Sequence, residues 1–123
     1  MITPKELNPN RYPVDHETAG NLATLHFRIN QVRREWGKPM IVTSGLRSQA
    51  DQTRINPKAS KSKHLIGAAC DISDPKGELA AWCLANEKRL AEIGLWMEHP
   101  SVTKTWMHFQ ILPPKSGKRF FLP

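Results

Sequence analysis

Between residues 18 and 36, apolar side chains recur at Leu22, Leu25, Ile29, Val32 and Trp36. Intervals of three and four put them on one stripe of a helix, and Gly37 followed by Pro39 ends it. Residues 40–43 are a short β-branched run, as in a buried strand, and residues 69–72 predict a second. Asp74-Pro75-Lys76-Gly77 reads as a turn. Residues 78–93 predict another helix, with Leu79, Trp82, Cys83, Leu90 and Ile93 available to the core and Gly94 as its C-cap. Residues 95–98 and 106–112 alternate like two strands, joined by a loop that contains Pro100. Ahead of all this, Pro4, Pro9 and Pro13 predict an extended arm over residues 1–14. Residues 44–63 are polar, basic and poor in apolar side chains, and a loop that long in a compact domain is expected to have a function. The order of elements predicts an α+β fold, a small, mostly antiparallel sheet packed against helices.

A length of 123 residues fits one domain spanning residues 1–123. With 39% hydrophobic and 24% charged residues the chain is composed to fold around a core, which excludes wholesale disorder. Its longest apolar run, residues 79–85, is far shorter than the roughly 18 residues of a membrane span. The first residues lack a basic stretch followed by an apolar one, so synthesis in the cytoplasm without a secretion signal is expected. Lys+Arg exceed Asp+Glu by 18 to 11, a formal charge of +7 that favours anionic partners. Arg47, Arg54, Lys58, Lys61 and Lys63 thicken one stretch. There is no helix-turn-helix spacing, RNP-like aromatic motif or Cys/His finger, so charge alone does not select nucleic acid. Cys70 and Cys83 fit no C-x-x-C pattern and are expected as buried small hydrophobes rather than a disulfide.

The chemistry is concentrated in residues 62–71, Ser-Lys-His-Leu-Ile-Gly-Ala-Ala-Cys-Asp. His64 closes the long loop and Asp71 lies inside an apolar strand, with Gly67 allowing a tight path between them. A buried, unpaired Asp is costly, roughly 2–7 kcal/mol for a neutral polar group and more when charged, and a metal ion would remove that cost. His108 sits in a second apolar strand. Two imidazoles and one carboxylate, with a position left for water, make up a catalytic zinc site. Each residue also has an ordinary account: a solvated loop histidine, a strand-end cap and a satisfied core histidine.

Ser62-x-His64-x-x-Gly67-x-Ala69-x-Asp71, followed by Trp106-x-His108, resembles the zinc D-Ala-D-Ala carboxypeptidase and L-alanyl-D-glutamate endopeptidase family, which includes phage endolysins and the metal site of the hedgehog domain. Ser44-Gly45-Leu46-Arg47 is similar to the family's Ser-Gly-x-Arg segment. The likeness spans residues 40–110. It implies one zinc per chain on His64, Asp71 and His108. It also implies that Arg47 holds a substrate carboxylate or carbonyl and that Ser62 orients the loop or a ligand, with Gln52, Gln49 and Arg54 as cleft candidates. Many relatives carry an acidic base three residues before the last histidine; here that position is Thr105. Glu98, on the strand leading into the hairpin, is the expected substitute, with His99 a weaker one, because proton transfer needs a base within reach. The implied partner is a peptidoglycan stem peptide, with no nucleic acid and a monomeric chain expected. A phage or prophage endolysin, reaching the wall through a membrane pore or carried in a virion, follows from the same likeness. Without a base in reach, the chain would be a silent zinc-binding module of the same fold. Cys70, next to Asp71 on a strand, is expected to point away from the metal.

Overall fold

The computed structural model describes residues 1–55 and 62–123, so Lys58 and Lys61 of the basic stretch lie outside the described residues. Helix α2 (His16–Trp36) organises the fold; it follows helix α1 (Pro4–Leu7). Asp15 caps the start of α2 by accepting a 2.7 Å hydrogen bond from the Thr18 N–H. The stripe read from the sequence is its buried side: Leu25, Ile29 and Val32 are fully enclosed, with Leu22 and Trp36 packed at the margin.

Five strands form one sheet in the order β1-β2-β4-β3-β5: β1 (Val42–Ser44), β2 (Ala69–Ser73), β3 (Trp96–Glu98), β4 (Trp106–Gln110) and β5 (Phe120–Phe121). All pairs are antiparallel except β3 with β5. The expected α+β class, a mostly antiparallel sheet against helices, is what forms. Strand alternation separates two faces. Cys70, Ile72, Met97, Met107 and Phe109 join α2, α4 (Glu78–Ala85) and α5 (Glu87–Ile93) in the core. The other face carries Asp71, His108, Gln110, Trp96, Glu98 and Phe121.

The structure departs from the sequence reading in four places. The proline-rich arm contains a helical turn, α1, because Thr3 and Glu6 cap it reciprocally with Pro4 in its first position. The predicted helix over residues 78–93 is two helices. Asn86 leaves helical geometry (φ −122°) and donates its side-chain amide to the Trp82 carbonyl instead. The long polar loop holds helix α3 (Gln49–Ile55), started by Ser48, whose hydroxyl accepts from the Asp51 N–H, and a 3-10 turn, Lys63–Ile66. Strand β5 is too short to show a period of two.

Candidate metal centre

Each member of the centre is placed by its backbone. Ser62 starts the 3-10 turn by accepting from the His64 N–H, and Gly67 ends it in the left-handed region at φ 69°. A Cβ on Gly67 would also press into Leu22 and Thr18 of α2, so glycine is required there on two counts. The His64 Nδ1–H donates to the Gly45 carbonyl at 2.9 Å. Gly45 in turn lies directly on α1, where a side chain would collide with the Leu7 backbone, and the next residue, Leu46, donates its N–H to the Leu7 carbonyl at 2.8 Å. Asp71 and His108 face one another as register partners of β2 and β4.

His64, Asp71 and His108 are all buried, and one ligand atom from each lies within 4.8 Å of the others. His64 Nε2 is 3.4 Å, and His108 Nδ1 3.0 Å, from the same Asp71 Oδ1. The tautomers follow from the far side of each ring. Gln110 donates its amide nitrogen to the Leu112 carbonyl, which leaves its Oε1 to accept the His108 Nε2–H at 2.8 Å. With Nδ1–H of His64 and Nε2–H of His108 thus engaged, the nitrogens aimed at Asp71 present lone pairs to a carboxylate. Only a proton or a cation between them makes that arrangement favourable. Two donors at zinc-nitrogen or zinc-oxygen distance in a tetrahedron stand about 3.3 Å apart, so the spacing fits such an ion. The hydrogen bonds behind the rings are the kind that fix metal-ligating histidines.

Burial alone would raise the Asp71 carboxyl, but hydrogen bonds from His108 and His64, and their positive charge, outweigh it and hold the group far below the ordinary carboxylate range. Burial would likewise lower His108; its hydrogen bond to Asp71 and the charges of Asp71 and Glu98 reverse this and raise it. Cys70 belongs to the opposite, core face, and burial, reinforced by the Asp71 charge, pushes its thiol up. Cys70 and Cys83 are free and buried.

Arg47 lies behind Asp71. Its Nη2 is 3.3 Å from Asp71 Oδ2, Nη1 donates to Gln52 Oε1 at 3.0 Å, and Nε to Ser44 Oγ at 2.9 Å. Gln52 is only 1% exposed and faces Arg47 from α3. Gln49 lines a cleft of about 430 Å³ and Arg54 another of about 160 Å³; Arg47 borders both, and neither reaches the His-Asp-His group. Glu98 comes in from the other side, with Oε2 3.5 Å from His108 Nδ1, the nitrogen that faces Asp71. His99, one residue on, points elsewhere: its ring stands edge-on to Phe120 and its Nδ1 pairs with Ser101. Thr105 ends the turn before β4 and offers its carbonyl to the Asp74 N–H. Sequence reasoning missed Gln110 and Phe121, the latter edge-on to His108 at 6.2 Å between ring centres. Gln110 was signalled by its place two residues after His108 on the same strand face.

The family model described as Peptidase M15 matches residues 4–106, most of the chain, and the chain belongs to that family. The match includes His64, Asp71 and Glu98 and stops two residues short of His108. No curated protein and no solved structure matches the chain.

Proposed function

We propose that this M15 metallopeptidase binds one zinc ion on His64 Nε2, Asp71 Oδ1 and His108 Nδ1 and hydrolyses a peptide bond in bacterial peptidoglycan stems. The observation that carries this reading is the convergence of those three atoms with Glu98 Oε2 beside them. A zinc ion held by His64, Asp71 and His108 would supply Lewis acidity toward a water and the carbonyl to be attacked. Glu98 takes the proton from the attacking water at Oε2 and returns it to the leaving amine. Asp71 keeps its negative charge throughout, since the Arg47 guanidinium, and the cation the site would hold, stabilise the ionised form. Ser62 fixes the backbone of His64, while Gly45 and Gln110 fix the ring orientations of His64 and His108.

A stem peptide brings D-residues and free carboxylates to a chain of charge +7, a match of sign that speeds encounter. The bond is either the L-Ala–D-Glu bond inside the stem or its terminal D-Ala–D-Ala bond, and we favour a phage or prophage lysin cutting the former. Elemental analysis after zinc loading, with mass spectrometry of purified stem peptides, tests the reading. One zinc per chain and a defined cleavage are expected, both lost in His64→Ala. Stoichiometric zinc without any cleavage would reduce the protein to a metal-holding module, and no zinc would overturn the centre itself.

A further inference from the structure

The strand register arranges the face that carries the metal centre in rows. Asp71 of β2 pairs with His108 of β4, and one step across, Glu98 of β3 and Phe121 of β5 are register partners. Two residues along, about 6.6–7 Å away by strand geometry, the next row runs Ala69, Gln110, Trp96. Arg119 continues it beyond Trp96, because Met97 pairs with Phe120 in the parallel β3–β5 ladder. The first row holds the chemistry. In the second, Gln110 supports His108, but the mechanism leaves Trp96 and Arg119 without a task.

Their geometry is that of a binding platform. The Arg119 guanidinium carbon lies 4.5 Å from the centre of the Trp96 ring, and Nη1 donates to the Leu95 carbonyl at 2.8 Å. Ring and backbone fix the guanidinium plane. Arg47, Arg54 and Arg89 are each paired with a carboxylate; Arg119, like Arg11, Arg28, Arg33 and Arg34, has no acidic partner within ion-pair distance among the described residues, and what sets it apart is its seat on the Trp96 ring. Along this row Ala69 and Gln110 are buried, while Trp96 and Arg119 are half-buried.

We infer that Trp96 and Arg119 form an anion-reading subsite that takes a carboxylate carried by the substrate about three to four residues from the bond cut. The spacing follows from the register: Arg119 stands two strands across from His108, about 9–10 Å at roughly 4.8 Å per strand, and one row along, for a separation of about 12 Å. An extended peptide advances about 3.3–3.6 Å per residue, so three to four residues span it. Trp96 is the wall that holds the planar Arg119 fork in place and partly dry, which strengthens a charge-assisted pair. The subsite rests on the peptidase reading and deepens it, by naming what the substrate must carry besides the scissile bond.

The test uses stem-type peptides with a free carboxylate at that distance, each beside its carboxamide analogue, and the variants Arg119→Gln, Arg119→Lys and Trp96→Phe in the zinc-loaded full chain. Arg119→Gln keeps a donor for the Leu95 carbonyl while removing the charge. The wild-type preference for acid over amide, read as the ratio of KM values, is expected to be about 10- to 100-fold, the worth of one hydrogen bond to a charged group. It should collapse to near one in Arg119→Gln, return in part in Arg119→Lys, and persist in Trp96→Phe. Calorimetric titration of the same peptides into the Glu98→Gln protein reads the preference without turnover. If no peptide is cut but that protein still prefers the acid form through Arg119, the peptidase reading fails and the subsite stands. Equal affinity for acid and amide, no binding of either, or an equal loss on both in Arg119→Gln would overturn the subsite.

Discussion

The two flanks of the Asp71–His108 pair follow opposite plans. On the β1 side every nitrogen of Arg47 is engaged by the protein, by Ser44, Gln52 and Asp71, and the group is part-buried. On the β3 side the Glu98 carboxylate is approached only by His108 among the described residues, and Arg119 rests on a tryptophan with no carboxylate of its own. A part-buried charge bonded through each of its nitrogens serves to hold geometry, since rearranging it leaves desolvated groups unpaired. A charge with most of its bonding capacity left over is available to a ligand or a moving proton. The pair therefore has a clamped flank and a reactive one.

Three experiments bear on that division. Glu98→Gln removes the reactive flank's proton acceptor and should lower kcat by about 10²- to 10⁴-fold while zinc stoichiometry holds at one; a comparable loss of zinc would place Glu98 with the clamp. Arg47→Leu should act the other way round. Freed from its partner, Asp71 loses its fixed orientation, and competition with a chelator should show zinc affinity reduced by about 10- to 100-fold, the usual consequence of removing a residue behind a metal ligand. Unchanged affinity with a raised KM would move Arg47 to substrate binding, the role suggested by its Ser-Gly-x-Arg segment. The smallest effect concerns pH. His108 is raised above its ordinary 6.5 in the metal-free fold, so its contribution to stability is complete below that value and is lost as pH climbs through the raised one. Thermal unfolding of chelated protein should thus shift downward over that window. Zinc affinity should rise over the same window, because the ion needs the unprotonated Nδ1.

How much of this was legible depended on how local each signal is. His64 and Asp71 lie seven residues apart in one compact pattern, and His108 stands out as a polar residue in an apolar strand. Their meeting needed only that β2 and β4 pair, and they do so in register. Glu98 was accessible through hairpin logic, since β3 runs back along β4. The engagement of Arg47 was not, because it depends on α3 turning a buried Gln52 toward it. That helix has no apolar stripe, and only Ser48 followed three residues later by Asp51 hints at its start. The break at Asn86 was hidden for the converse reason. Apolar residues continue at helical spacing on both sides of it, and one side-chain hydrogen bond decides the geometry.

The carbonyl that orients His64 belongs to Gly45, which rests on Leu7, while Phe121 stands edge-on to His108. Segments from near both ends of the described chain thus brace a centre whose Asp71–His108 contact already spans 37 residues. Contacts of such long range form late, after the entropy of closing the intervening chain has been met. A chain part-way through synthesis or refolding holds the donors but not their arrangement. Were a metal taken up there, the rate of its tight capture would report when residues 4–7 and 120–121 have docked, making such an ion a timer for the last step of folding rather than its nucleus.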